Sequence, residues 1–135
     1  MPRNLCYIFS ICAATVFVGG CPFMGRVYEE DLVNGYAVWA ADVKEQAMIV
    51  RKGKGGSAST RIVQPMVFAY GWNDDFILAK QHPEKKDGKV DTSLTYWYII
   101  EIAPNDVHGP LNEDEFRKLK NNLKVPEEIS FKTIQ

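Results

Sequence analysis

The apolar positions of this chain fall into three patterns: one continuous N-terminal run, a series of short alternating stretches, and one stripe at helical spacing. The alternating stretches begin at Tyr36, where Tyr36, Val38 and Ala40 alternate with Ala37, Trp39 and Ala41. A second strand is expected over Ala47–Val50, where helix propensity competes, and a third over Arg61–Tyr70, with Pro65 implying an edge strand or a bulge. A turn at Trp72-Asn73-Asp74-Asp75 leads into a fourth strand, Phe76–Gln81. The fifth, Leu94–Ala103, carries Leu94, Tyr96, Tyr98, Ile100 and Ile102 on one face and Trp97 and Ile99 on the other, so both faces are expected to be covered in part. Residues 52–60 and 82–93 read as loops, and Ile129–Ile134 as a last strand.

The helical stripe is Phe116, Leu119 and Leu123. Asn112 followed by Glu115 three residues on predicts a capping box, and Leu111 can staple onto Phe116. Glu113, Asp114 and Glu115 in the first turn, with Arg117, Lys118, Lys120 and Lys124 following, complement the helix dipole. Pro126 ends the helix. The fold class expected is α+β: a small, mainly antiparallel sheet of about six strands with one C-terminal helix packed on it.

The N-terminal run changes the picture of where this domain resides. Residues 4–25 carry no charge, Arg3 precedes them, and Leu5 to Val18 is dominated by apolar and small residues before Gly19-Gly20-Cys21-Pro22 interrupts. An apolar stretch of about 14 residues is short for a bilayer span and suits a secretory signal. Val18-Gly19-Gly20-Cys21 resembles the lipobox of bacterial lipoproteins: a branched apolar residue, two small residues, then cysteine. The resemblance implies cleavage between Gly20 and Cys21, and attachment of a diacylglyceryl group to the Cys21 thiol. The alternatives are an uncleaved signal anchor and a signal cut elsewhere. The domain plan that follows is a signal peptide over 1–20, a lipidated tether over 21–34 and a single β-rich domain over 35–135. Pro22 is not the aspartate that retains many lipoproteins at the inner membrane, so outer-membrane sorting is expected if the cell has two membranes.

The cysteines agree with this plan. All three, Cys6, Cys12 and Cys21, lie at the start of the 135-residue chain, so the domain itself holds neither a disulfide nor a thiolate metal site. The net charge is −1, and it becomes −2 once Arg3 is removed with residues 1–20. That balance gives no electrostatic footprint for nucleic acid and no polybasic tract for anionic lipid.

Candidate chemistry is sparse. Gly53-Lys54-Gly55-Gly56-Ser57-Ala58 matches a dinucleotide-binding pattern in letters only, because a strand-like Arg61-Ile62-Val63 follows where a helix should open. A hairpin loop is the expectation there. Asp74, Asp75, His82 and His108 are the residues to consider for an acid–base or metal site, but each lies beside a turn former, and the two histidines lack the close spacing of zinc ligands. No cofactor is expected. Glu101 sits in an apolar strand, where a carboxylate is usually paired or solvated. The aromatic residues are dense and most are expected in the core; alternation turns some outward, and Trp39, Trp72 and Trp97 are the candidates for an exposed binding surface.

The Asp74–Pro83 segment, the Tyr96-Trp97-Tyr98-Ile99-Ile100 strand, the Gly109-Pro110-Leu111 lead into the helix and the lipobox together resemble an uncharacterised family of short bacterial lipoproteins, known only as a domain of unknown function. That resemblance implies no activity. The first functional reading is therefore a lipid-anchored envelope protein that binds a protein or serves as a structural accessory. The second is a small hydrolase or metal-dependent enzyme using Asp74, Asp75, His82 or His108.

Overall fold

The computed structural model describes residues 26–56 and 59–135. Val18, Gly20 and Cys21 lie outside the described residues. Among the described residues nine strands and one α-helix follow in the order β1 (Tyr28–Asp31), β2 (Tyr36–Ala40), β3 (Met48–Arg51), β4 (Thr60–Val63), β5 (Val67–Trp72), β6 (Phe76–Gln81), β7 (Tyr96–Glu101), β8 (Asp106–Leu111), α1 (Glu113–Asn122) and β9 (Lys132–Thr133). The α+β class holds, but the strands form two antiparallel sheets. The first has the order β1-β2-β3-β4 and the second β8-β7-β6-β5-β9.

The expected third strand, Arg61–Tyr70, divides at Pro65 into β4 and β5, which belong to different sheets. Proline removes a ladder donor, and Met66 beside it adopts a left-handed backbone with φ 80. This corner is held from beneath by Gln81, a buried polar side chain of the second sheet. Its Nε2 donates to the Gln64 and Pro65 carbonyls at 3.1 and 2.9 Å, and its Oε1 accepts from Tyr98 Oη at 2.8 Å. A buried amide whose groups are all partnered fixes one crossover geometry.

Two edge strands escaped the sequence pattern. β1 carries Tyr-Glu-Glu-Asp, a composition with little strand propensity, but charge on an edge strand also deters pairing with other chains. Tyr28–Asp31, within the stretch read as a tether, is therefore paired in the sheet. The turn between β1 and β2 contains Asn34-Gly35, both with positive φ (50 and 81), a left-handed backbone that asparagine and glycine tolerate best. β8 contains Gly109-Pro110 and is the opposite edge of the second sheet, where a missing donor is tolerated.

The two sheets share one core. Tyr36, Val38, Ile49 and Val63 come from the first, and Tyr70, Ile77, Tyr98 and Ile100 from the second. The other face of the second sheet is covered by α1 and the segment after it: Leu78 and Ile99 pack with Phe116, Val125 and Ile129. β7 is thus covered on both faces, as its alternation predicts. The capping box forms, with Glu115 N donating to Asn112 Oδ1 and Asn112 N donating to Glu115 Oε2, both at 2.9 Å.

A polar tie joins the sheets at one margin. Tyr70, buried in β5, shares a 2.5 Å hydroxyl contact with Tyr28 of β1. Glu30 Oε2 accepts from Tyr28 Oη at 2.9 Å, from the Tyr70 hydroxyl, and from Lys132 Nζ at 2.6 Å. Burial alone would raise the Glu30 carboxyl, but the bonds from Lys132, Tyr70 and Tyr28 outweigh it and hold it below its ordinary 4.5. A carboxyl depressed by folding stabilises the protein above its unfolded value, and that stabilisation is lost as pH falls through the folded value. Glu30→Gln is expected to lower stability at neutral pH by about 1–2 kcal/mol and to flatten the decline below about pH 4.5. Urea titrations of both proteins across that range check it.

Candidate binding surface

The outer face of the first sheet is built by register. Glu29 of β1 lies opposite Trp39 of β2, which lies opposite Met48 of β3. In the next row Asp31, Ala37, Val50 and Arg61 lie opposite one another in turn. Directly opposed residues project to the same side of a sheet. One face therefore presents an apolar patch of Trp39, Ala37, Met48 and Val50 between an acidic strand and a basic one.

This patch floors a pocket of about 600 Å³. Trp39, Met48 and Val50 line its base, and Arg26, Lys52 and Arg61 stand around it with Glu29. Trp39 is half-buried, and Met48 and Val50 are buried. Lys52 is the hinge of the rim charges: its Nζ reaches Glu29 Oε1 at 2.7 Å and also bonds Asp31. Arg26 pairs with Glu29. The bonds from Lys52 and then Arg26 hold the Glu29 carboxyl below its ordinary value, and the Asp31 and Glu29 bonds raise the Lys52 ammonium. Among the described residues Arg61 meets no carboxylate; its guanidinium lies 3.4 Å from Gln64 Oε1. Such a surface can take a ligand with an apolar part against Trp39 and an anionic part against Arg61. Among the described residues that line it, no nucleophile is hydrogen-bonded to a base.

The other residues singled out from the sequence are dispersed. Trp72 flanks the inter-sheet core and stacks on Tyr70 with centroids 5.8 Å apart. Trp97 packs under α1, with Phe116 at 4.7 Å, Phe131 edge-on at 5.7 Å and Lys80 Nζ over its ring at 4.2 Å. Of the three tryptophans, only Trp39 lines the pocket.

Asp74 and Asp75 form the β5–β6 turn, where Asn73 Oδ1 accepts from the Asp75 and Phe76 amides at 2.9 and 2.8 Å. His82 follows the far end of β6, about 20 Å along the strand from Asp75. It stacks on Phe68, with its Nδ1 2.8 Å from the Leu94 carbonyl oxygen, in a cleft of about 330 Å³. His108 of β8 pairs instead with Glu101 of β7, Nε2 to Oε1 2.7 Å. The four residues proposed for an enzyme site do not share one, because β6 itself separates the aspartates from His82. No group of three His, Cys, Asp or Glu placed to hold a metal occurs among the described residues, and no described helix is long and apolar enough to cross a membrane.

The glycine-rich stretch is the β3–β4 hairpin loop, as expected, with a short 3-10 turn at Lys54–Gly56. Sequence reading selected Trp39 but missed the rim. Arg26, Lys52 and Arg61 come from three separate segments, so no local motif announces them. The Asn34-Gly35 hairpin signal was the available clue that a strand precedes residue 34 and flanks Trp39.

No curated protein and no solved structure matches the chain. A family model described as a protein of unknown function (DUF3997) matches residues 33–135. That span takes in β2 to β9 and α1, including the Trp39 strand and the Gln81 clasp, so this chain belongs to the DUF3997 family.

Proposed function

We propose that this chain is a lipid-anchored protein of the bacterial envelope with a non-enzymatic accessory role, and that it binds through the outer face of its first sheet. The observation that carries the binding reading is the Trp39–Met48–Val50 floor between charged strands. An apolar patch bearing Trp and Met and ringed by Arg has the makeup of a recognition surface. The anchor reading is supported by Val18-Gly19-Gly20-Cys21 and by the short distance in sequence from Cys21 to the pocket rim at Arg26.

The two parts fit together physically. Several acyl chains on one residue give firm attachment, whereas a single chain gives marginal binding. A domain tethered so closely needs no membrane-spanning helix of its own.

Cys21→Ala tests the anchor. In fractionated cells the wild-type chain is expected in the membrane pellet after a high-salt wash. The variant is expected to lose incorporation of labelled palmitate completely. Equal labelling of both would overturn the anchor reading.

A further inference from the structure

The pocket lies very close to the proposed anchor point. Arg26 is the fifth residue after Cys21, and a fully extended chain of five steps spans at most about 18 Å. Arg26 is itself on the pocket rim. If Cys21 carries the lipid, the outer face of the first sheet is held within a domain's radius of the bilayer surface.

The charges on that face are opposite in sign to those of the rest of the domain. Residues 26–135 hold fifteen basic and seventeen acidic side chains. The pocket is lined by three of those bases and one of those acids, and Asp31, bonded to Lys52 on the same face, brings the face to three bases against two acids. The remaining surface is thus net negative, and an anionic membrane repels it while attracting this face. Arg26 and Arg61 are exposed, and Arg61 meets no described carboxylate. Trp39 lies beneath them, and tryptophan favours the headgroup level of a bilayer because its ring is apolar with a polar edge.

We propose that the outer face of the first sheet docks on the membrane surface and takes the phosphate of an anionic phospholipid headgroup, with Arg61 and Arg26 at the phosphate and Trp39 against the glycerol and upper acyl region. The sequence has no polybasic tract; the register of β1 to β4 assembles the basic patch from three segments. This docking deepens the anchor reading and takes its orientation from it, but the recognition chemistry does not require the lipid on Cys21.

The test therefore uses the chain from Arg26 to Gln135. That segment contains every residue of both the inter-sheet core and the helix-side core, so binding is read without the anchor. Its sedimentation with phosphatidylcholine vesicles is compared with sedimentation with vesicles that also contain phosphatidylglycerol. Binding is expected only with the acidic lipid, and it should fall as salt rises. Arg61→Glu is expected to weaken it about 30-fold, since two charges change at about fivefold each. Lys86→Glu, the same reversal in the distant 82–93 loop, is expected to leave it unchanged.

Equal binding to the two vesicle types, or equal losses for Arg61→Glu and Lys86→Glu, would overturn the proposal. Full competition by millimolar inorganic phosphate would also overturn it, assigning the site to a free anion. Binding that survives while Cys21 proves unmodified would sink the anchor reading and leave the docking face standing. An anchored chain that ignores phosphatidylglycerol would do the reverse.

Discussion

Gly71→Ala is expected to melt about 15 °C below the wild type. Gly71 lies in β5, between β6 and β9, and is buried. A methyl group at this position would stand within van der Waals contact of the Ser130 carbonyl, 3.0 Å from its carbon and 3.1 Å from Ile129 Cγ2. The obstacle is backbone, so no rotamer change relieves it. The segment of 129–131 must move away from the sheet, or β5 must bend. Overpacking of this kind costs about 3 kcal/mol, and each kcal/mol lowers the melting temperature of a domain this size by about 5 °C. The displaced segment carries Ile129 and Phe131, so the loss is felt across the helix-side core. Thermal unfolding followed by circular dichroism measures it. A melting temperature within a few degrees of the wild type would show that the 129–131 segment does not press on β5.

Phe116→Ala is the second large loss, expected at about 3–5 kcal/mol. Phe116 is the buried residue of α1, and it fills the space between Trp97 and Phe131, with ring centroids at 4.7 and 6.4 Å. The ten-residue helix is too short to persist by itself, so its stability comes from this docking. Removal of the ring leaves Leu119 and Leu123 as the remaining apolar contacts of the helix. Amide exchange should then rise throughout 113–122 while β2 and β3, which pack on the other core, stay protected. The Trp97 ring loses a stacking partner in the same step, so its fluorescence should shift to longer wavelength. Uniform exchange across both sheets would show instead that the domain unfolds as one unit, with α1 no weaker than the rest.

What could be read from the sequence was local. The Asn112–Glu115 capping box, the Leu111–Phe116 staple and the two-sided strand at 96–102 depend on residues within one turn or one pleat, and each is present. The second sheet was hidden because its boundary is a single corner. Pro65 reads equally as a bulge or as the end of a strand, and only the long-range bonds from Gln81 decide it. β1 was hidden because Glu29, Glu30 and Asp31 look like a solvated spacer. Glu30 in fact points to Tyr70 and Lys132, while Glu29 and Asp31 meet Lys52 on the opposite face. Strand alternation was at work there, but written in acids instead of apolar residues.

The candidate site followed the same rule. Trp39 stood out by its type, whereas Arg26, Lys52 and Arg61 are ordinary surface cations until β2 and β3 bring them to one rim. The residues that did look chemical, Asp74, Asp75, His82 and His108, turned out to serve a turn, a stacking contact and a cross-strand contact with Glu101. His108, read beside Gly109-Pro110 as part of a turn, lies instead within β8. The absence of cysteine after residue 21 is explained by the core itself, which the two sheets and the helix fill without a staple.

The proposed anchor at Cys21 would give the pocket face its place and orientation, and one mass measurement bears on it most directly. The protein is purified from detergent-solubilised membranes of its native host and its N-terminal peptide is sequenced by mass. The account predicts a chain that begins at Cys21 and bears a diacylglyceryl thioether. A polypeptide that still starts at Met1, with a free thiol at residue 21, would contradict it.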